Sequence, residues 1–346
     1  MIYLIEPNKD SNGHFTIYLK SLLNIKDTCA LQLDVDIRRM TINILSFWKY
    51  YIALRKQLKA VPTGGGISHI LYSDLYYKIP FVSSNLFRRN KTIVTMHSFP
   101  NGKLKHYLMK NFCKRVDMVI VHSLFIKHQM EKLGLRNVVC IDYPSFYDYK
   151  NVLSRNELKK RENISPSDIV LSALGGIRYD KGLDILLDSF KYIRDDIKKK
   201  ITLNIAGVAG FLNEEQIRNI CEKNGIRARL VIRSLSEHEF MENVEISDYM
   251  VMPYRSIMTG NSGPMTEAIV RQIPSIVPKG SNLGYIVENY NVGITFVQED
   301  SKDLARVIEK CCLNKYICNP EYSQNLKESV FINKHKDIYQ QVMKLM

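Results

Sequence analysis

Two short segments hold the residues best suited to chemistry. The first, Leu174-Gly175-Gly176-Ile177-Arg178-Tyr179-Asp180-Lys181-Gly182, leaves an apolar run and enters an amphipathic one. Glycines let a backbone approach a ligand, and Arg178 with Lys181 sets two cations beside a helix N-terminus, which itself favours an anion. Such a turn suits a diphosphate, although an ordinary strand-to-helix turn with solvated basic residues has the same composition. The second, Pro253-Tyr254-Arg255-Ser256-Ile257-Met258-Thr259-Gly260-Asn261-Ser262-Gly263-Pro264-Met265-Thr266-Glu267-Ala268, also follows an apolar run and opens a helical one. Backbone N–H groups along Thr259, Gly260, Asn261, Ser262 and Gly263, with the Ser262 hydroxyl, have the chemistry to hold a phosphate. Glu267 stands about one turn inside the helix, where a carboxylate accepts hydrogen bonds from two vicinal hydroxyls such as those of a ribose. A first-turn acid favoured by the helix dipole would occupy the same place.

These segments need a scaffold, and the rest of the chain supplies its pattern. Short apolar runs of strand length alternate with amphipathic stretches of helix length, as in a doubly wound parallel sheet. In the first half the predicted strands cover residues 2–5, 67–72, 92–96, 118–121 and 138–141, with helices near 15–23, 39–58, 104–115 and 126–133. The polar run 151–168, with its Ser165-Pro166-Ser167 turn signal, reads as a linker. Strands then resume at 169–174, 202–206, 230–232, 249–252, 275–277 and 294–297. Ser236 and Glu239 have the spacing of a capping box, and a last helix runs from about 322 to 343. The expectation is an α/β chain of two doubly wound, Rossmann-like domains, residues 1–160 and 161–320. Residues 321–346 form a terminal helix packing back toward the first domain. Sheets of this kind bind ligands at their carboxyl ends, so two of them facing each other across a cleft would bring their ligand-binding ends together.

Taken together, the segments resemble the donor domain of GT-B glycosyltransferases, most closely the large retaining family 4. Such enzymes commonly read G-x-x-R-x-x-K-G, a P-Y/S strand end, a Gly-rich loop, E-A at a helix start, G-x-P-x-V and a late G-x-x-F/V turn. The counterparts here stand in order as Gly175 to Gly182, Pro253-Tyr254, Ser262-Gly263, Glu267-Ala268, Gln272-Ile273-Pro274-Ser275-Ile276-Val277 and Gly293-Ile294-Thr295-Phe296, over residues 169–310. The resemblance implies a nucleotide-sugar donor and no metal. Arg178 and Lys181 would meet its diphosphate, Glu267 its ribose, and the backbone at Gly176 and Ser262-Gly263 the nearby phosphates. The family often carries two glutamates separated by seven residues, but the residue eight before Glu267 is Thr259. Sugar positioning then falls to the loop 259–262. Gln272 is a milder departure, where many relatives carry Gly.

The first half resembles the family's acceptor domain less tightly. Gly13, in Ser11-Asn12-Gly13-His14, follows the first predicted strand where relatives have a Gly-rich turn near the reaction centre. A single glycine there argues against a dinucleotide fingerprint. His97, directly after the strand 92–96, resembles a histidine placed beside the transferred sugar; a structural role is the competing reading, and His122 is a weaker candidate. In the helical pattern 104–115, Leu104, Tyr107, Leu108 and Phe112 share a stripe flanked by Lys105, Lys110, Lys114 and Arg115. The pattern 44–59, with Trp48 and several lysines, is similarly mixed. Core packing explains the stripe, and an interfacial helix would look alike. Asp34-Val35-Asp36 matches the metal-binding D-x-D of GT-A enzymes, but with 18 Asp in 346 residues about one such pair is expected by chance.

Charge separates the two halves. Residues 1–150 hold 22 Lys+Arg against 10 Asp+Glu, and residues 151–346 hold 27 against 25, so the formal charge of +14 sits almost wholly in the first half. An anionic membrane or a phosphorylated acceptor would meet it there. A nucleic acid would too, yet no base-reading or base-stacking signature accompanies the charge. Seven scattered cysteines without C-x-x-C, and an N-terminal apolar run too short for a leader, read as reduced thiols in a cytoplasmic protein. The function expected is transfer of a sugar from a nucleoside-diphosphate sugar to a glycan or lipid-diphosphate-linked acceptor, with His97, Arg178 and Lys181 as catalytic candidates. The first domain would sit peripherally at the inner face of the cell membrane. A catalytically inactive GT-B partner subunit is the alternative.

Overall fold

Every strand pairing among the described residues is parallel, which forces each connection to cross over a sheet face. The structure, a computed structural model, describes residues 1–6, 14–32, 44–74, 76–78, 87, 89–147 and 153–344. The chain divides into one unit of Met1–Phe146 with Lys327–Met346 and another of Tyr147–Leu326.

The first unit holds β1 (Ile2–Glu6), β2 (Thr28–Gln32), β3 (Ile67–Ile70), β4 (Lys91–Met96), β5 (Met118–Val121) and β6 (Val138–Cys140), in the sheet order β2-β1-β3-β4-β5-β6. β3 and β5 are buried along their whole length, as strands covered on both faces must be; β5 is wholly apolar, whereas β3 also buries Ser68 and His69. β2 was not among the predicted strands. It lies at the sheet edge, mixes Thr28 and Gln32 with small apolar residues, and leaves Ala30 exposed, so it lacks that signature.

The second unit holds β7 (Ile169–Leu174), β8 (Ile201–Ala206), β9 (Ala228–Val231), β10 (Tyr249–Val251), β11 (Ser275–Pro278) and β12 (Gly293–Phe296), ordered β12-β11-β10-β7-β8-β9. All six lie within two residues of their predicted bounds. The capping box at Ser236 is present: its hydroxyl accepts from the Glu239 N–H at 3.2 Å, and Glu239 accepts from the Ser236 N–H at 2.8 Å.

Three expectations are corrected. The run 151–168 contains a helix, Arg155–Arg161, capped by Ser154 and anchored by buried Leu158 against Ile164, Val170 and Ile246. Its buried Lys159 donates to the Asp168 carbonyl and to Asp248, so this segment is part of the second unit and the boundary falls at residue 147, not 160. The final helical pattern is two helices, Glu321–Asn325 and Glu328–Met343, broken by extended Lys327. Leu326 belongs to the core of the second unit and Phe331 to that of the first, and the chain changes unit at this break. Third, the stripe on the helix Lys103–Cys113 is only partly core. Met109, Phe112 and Cys113 are buried, whereas Leu104 and Tyr107 are 71% and 63% exposed.

Candidate functional site

The second sheet reverses its strand order between β7 and β10, and ligands of such sheets bind outside the carboxyl ends of the strands at that point. Both segments singled out from the sequence leave the sheet there. The crevice is lined by Leu174, Gly175, Gly176, Lys181, Pro253 and Tyr254, among others.

Gly182 fixes the first turn. Its φ of +65° is left-handed, and a Cβ at this position would stand 2.1 Å from the Pro253 carbonyl oxygen, so only glycine lets the turn close against the end of β10. Arg255 then clips the two segments together. Its backbone N–H donates to the Asp180 carbonyl at 3.0 Å, and its guanidinium donates to the Tyr179 carbonyl at 2.6 Å and to both Asp184 oxygens at 3.0 and 2.5 Å. The guanidinium also covers the Tyr179 ring at 3.9 Å.

The two candidate cations differ in what surrounds them. Arg178 is half exposed and donates twice to Asp180, at 2.9 and 2.6 Å, and this pairing holds the Asp180 carboxyl below its usual range. Lys181 makes no salt bridge among the described residues; its ammonium lies 3.7 Å from the centroid of the Tyr254 ring. Its charge is therefore balanced by a ring face and remains available to an incoming anion.

Ser262 precedes the helix Gly263–Val270 but does not cap it with its side chain. The hydroxyl, expected to face a phosphate, is instead buried and hydrogen-bonds the Tyr254 hydroxyl at 2.9 Å. Pro264 in the first turn gives up no needed donor. The preceding loop is held from the side, where the Asn282 amide donates to the Gly260 carbonyl at 3.1 Å and to Asn261 Oδ1 at 2.6 Å. Thr259 in that loop is half-buried. Glu267 lies beyond the first turn, which excludes the simple dipole role. It is 2% exposed and accepts from Arg271 at 2.9 Å, while Arg271 also reaches Glu245 at 2.9 Å. A carboxylate held this way presents fixed oxygens.

In the first unit, His97 follows β4 and stacks on Tyr72, with ring centroids 4.1 Å apart. The Leu71 carbonyl accepts from Nε2 at 2.9 Å, which assigns the proton to that nitrogen and makes Nδ1 the acceptor of the neutral ring. Asp74 accepts from the backbone N–H groups of His97 and Ser98 at 3.0 and 2.9 Å and fixes this turn. Burial raises the Asp74 carboxyl, against these hydrogen bonds. His122 lies 4.9 Å from His97, between ring centroids, and burial pushes it down to about 3. Gly13 and Asp34-Val35-Asp36 lie outside the described residues. Sequence reasoning missed Arg255, Asp184 and Asp74, and passed over Tyr254 as a strand end. Arg255 and Tyr254 stand inside the quoted segment, but their partners are revealed only by the meeting of two strand ends.

Each of the two units is a doubly wound, parallel-sheet α/β unit of the same class. A family model of glycosyl transferases group 1 matches residues 154–330, just over half of the chain. The chain belongs to this family and is a glycosyltransferase. Among solved structures it is similar to sucrose-phosphate synthase from Thermosynechococcus elongatus (TM-score 0.73, 14% identity, covering 100% of this chain and 99% of that one). It is also similar to Anabaena HepE in complex with UDP (0.69, 12%, 98% and 99%) and to the trehalose 6-phosphate synthase from Burkholderia multivorans (0.66, 8%, 99% and 97%). At these identities the likeness is one of fold, the two-unit GT-B architecture. A search of curated proteins gave no significant match.

Proposed function

We propose that this glycosyltransferase takes its sugar from a nucleoside-diphosphate sugar bound at the switch point of the second unit, without a metal and with retention. The observation that carries the reading is Lys181, a cation without a salt bridge among the described residues, lining the crevice beside Gly175 and Gly176. Lys181, the N–H groups at Gly263 and, once shared with Asp180, Arg178 would stabilise the charge growing on the departing diphosphate. Electrostatic preorganisation of this kind is commonly the largest contribution to such catalysis. Glu267 takes the ribose, and His97 is the catalytic candidate of the first unit. HepE has been solved with UDP and with UDP-glucose, which supports uracil as the first base to try.

The acceptor belongs to the first unit by charge. Its residues hold 25 Lys+Arg against 11 Asp+Glu, whereas the second unit holds 24 against 24, so the whole +14 lies on one unit. A lipid-diphosphate-linked acceptor at an anionic membrane surface matches this balance and the exposed Leu104 and Tyr107 among lysines. A thermal-shift screen of UDP-, GDP-, ADP- and dTDP-sugars, with EDTA present, tests the donor half. One base should raise the melting temperature by mass action, and a flat response to all of them defeats the reading.

A further inference from the structure

The Tyr254 side chain touches both halves of the proposed diphosphate site. It is 4% exposed, its ring lies under the Lys181 ammonium at 3.7 Å, and its hydroxyl meets Ser262 Oγ at 2.9 Å, directly before the helix Gly263–Val270. Its own backbone is fixed by the N–H donating to the Met252 carbonyl at 2.8 Å. The neighbouring cations are held differently: Arg178 by Asp180 and Arg255 by Asp184. A carboxylate partner would neutralise the ammonium and compete with a phosphate, whereas an aromatic face orients it while leaving its full charge to the ligand.

We infer that Tyr254 is the positioning residue of the donor site: its ring aims Lys181 at the diphosphate, and its hydroxyl sets the start of the Gly263–Val270 helix relative to that ammonium. The inference rests on the donor site proposed above. The ring and the hydroxyl act separately. The ring works only through Lys181, and the hydroxyl works through Ser262.

That separation gives a test with inorganic pyrophosphate as the probe, measured by calorimetry on the full chain. Y254F keeps the ring and removes the hydroxyl; Y254L removes both. With Lys181 present, Y254L should bind pyrophosphate roughly three- to tenfold more weakly than Y254F, the range of a partly desolvated cation–π contact. Combined with K181A, the two variants should bind alike, since the ring then has no ammonium to aim. A merely structural tyrosine would weaken binding by the same factor in both backgrounds. Equal affinities of Y254F and Y254L with Lys181 intact, or a gap that persists with K181A, overturn the inference while leaving the donor site standing. Absence of both pyrophosphate and UDP binding in the folded wild-type protein removes the site and the inference together. Circular dichroism checks folding, and Y254M, unbranched and close in length, replaces Y254L if that variant does not fold.

Discussion

The Arg255 guanidinium meets the Asp184 carboxylate with two hydrogen bonds, 3.0 and 2.5 Å long, across 71 residues of sequence. Arg255 is almost wholly buried and Asp184 about one-third exposed, so the pair lies partly out of water. It joins the turn after β7 to the loop after β10 at the place where the sheet reverses. R255A should therefore destabilise the second unit by about 1–3 kcal/mol, the cost of leaving a partly buried carboxylate and the Tyr179 carbonyl without their donor. R255K keeps the charge but loses the planar fork, and should recover less than half of that loss. Urea unfolding measures both, and wild-type stability in R255A would show that the clip contributes nothing.

Gly182 and Gly176 make a controlled comparison. An added Cβ at Gly182 would press on the Pro253 carbonyl in a left-handed backbone, whereas at Gly176 it would meet only the Arg178 side chain at 4.0 Å. G182A is expected to cost about 2 kcal/mol or more, with nucleotide binding lost because the turn moves away from β10. G176A should stay within about 0.5 kcal/mol of wild type in stability, so any loss of binding there reports closeness to the ligand. Thermal denaturation and calorimetry with UDP separate the two outcomes.

Glu267 and Lys181 are proposed to hold different parts of one donor, and a ladder of ligands distinguishes them. E267Q should weaken uridine, UMP and UDP by a similar factor, because every one of them carries the ribose. K181A should weaken UDP by roughly tenfold or more, in line with a lost charge-assisted hydrogen bond, and leave uridine unchanged. Arg271 retains Glu245 in E267Q, which limits structural collateral. The assignment fails if the two substitutions give the same ligand profile.

The core of the first unit should make its stability pH-dependent. His69, His122 and His335 are buried among Tyr18, Phe331 and Tyr339, and burial lowers all three imidazoles, His122 and His335 to about 3. Free imidazoles titrate near about 6.5, so between that value and the folded ones the unfolded chain binds more protons. Stability from these groups is complete above the unfolded value and falls as pH drops through the window. Hydrogen exchange from pH 7 to 4 should show β3 and β5 amides losing protection before those of β7 and β8. H335L removes one titrating group and a buried Nε2 without a hydrogen-bond partner among the described residues, and should flatten the dependence. Parallel loss of protection in both units would refute this account.

How much of this was legible beforehand follows from burial and from distance along the chain. The inner strands β7, β8, β10 and β11 announced themselves because strands covered on both faces are mostly apolar, while edge strand β2, with Thr28, Gln32 and an exposed Ala30, lacks that pattern. Gly175 to Gly182 and residues 253–267 stood out because their glycines, cations and glutamate recur in the order of a family pattern, although each piece alone suits an ordinary turn. What stayed hidden was which donor each acceptor takes. Asp180 claims Arg178 from two residues away and Ser262 turns to Tyr254 within its own loop, while Arg255 finds Asp184 across the two segments that meet where Gly182 approaches Pro253. The stripe 104–115 misled for a related reason: a sequence shows periodicity, and only packing shows which turn of the helix the core reaches.

That last helix gives the proposed acceptor side its own test. Leu104 and Tyr107 project from the first turns of Lys103–Cys113 beside exposed Lys103 and Lys105, while Met109 and Phe112 hold the helix to the core. Apolar residues of this kind enter a lipid interface, and each lysine near an anionic surface adds about 1 kcal/mol. The wild-type protein should sediment with phosphatidylserine-containing vesicles at low salt, less at 0.5 M, where about 4–5 Å of Debye length screens the lysines, and little with neutral vesicles. L104S/Y107S should lower binding without altering the salt dependence, because it removes insertion and keeps charge. K103E/K105E should lower binding and flatten the salt dependence. Neither pair touches the buried face, so both should melt like wild type. Equal recovery of wild type with anionic and neutral vesicles would leave the +14 unit to a soluble phosphorylated acceptor instead.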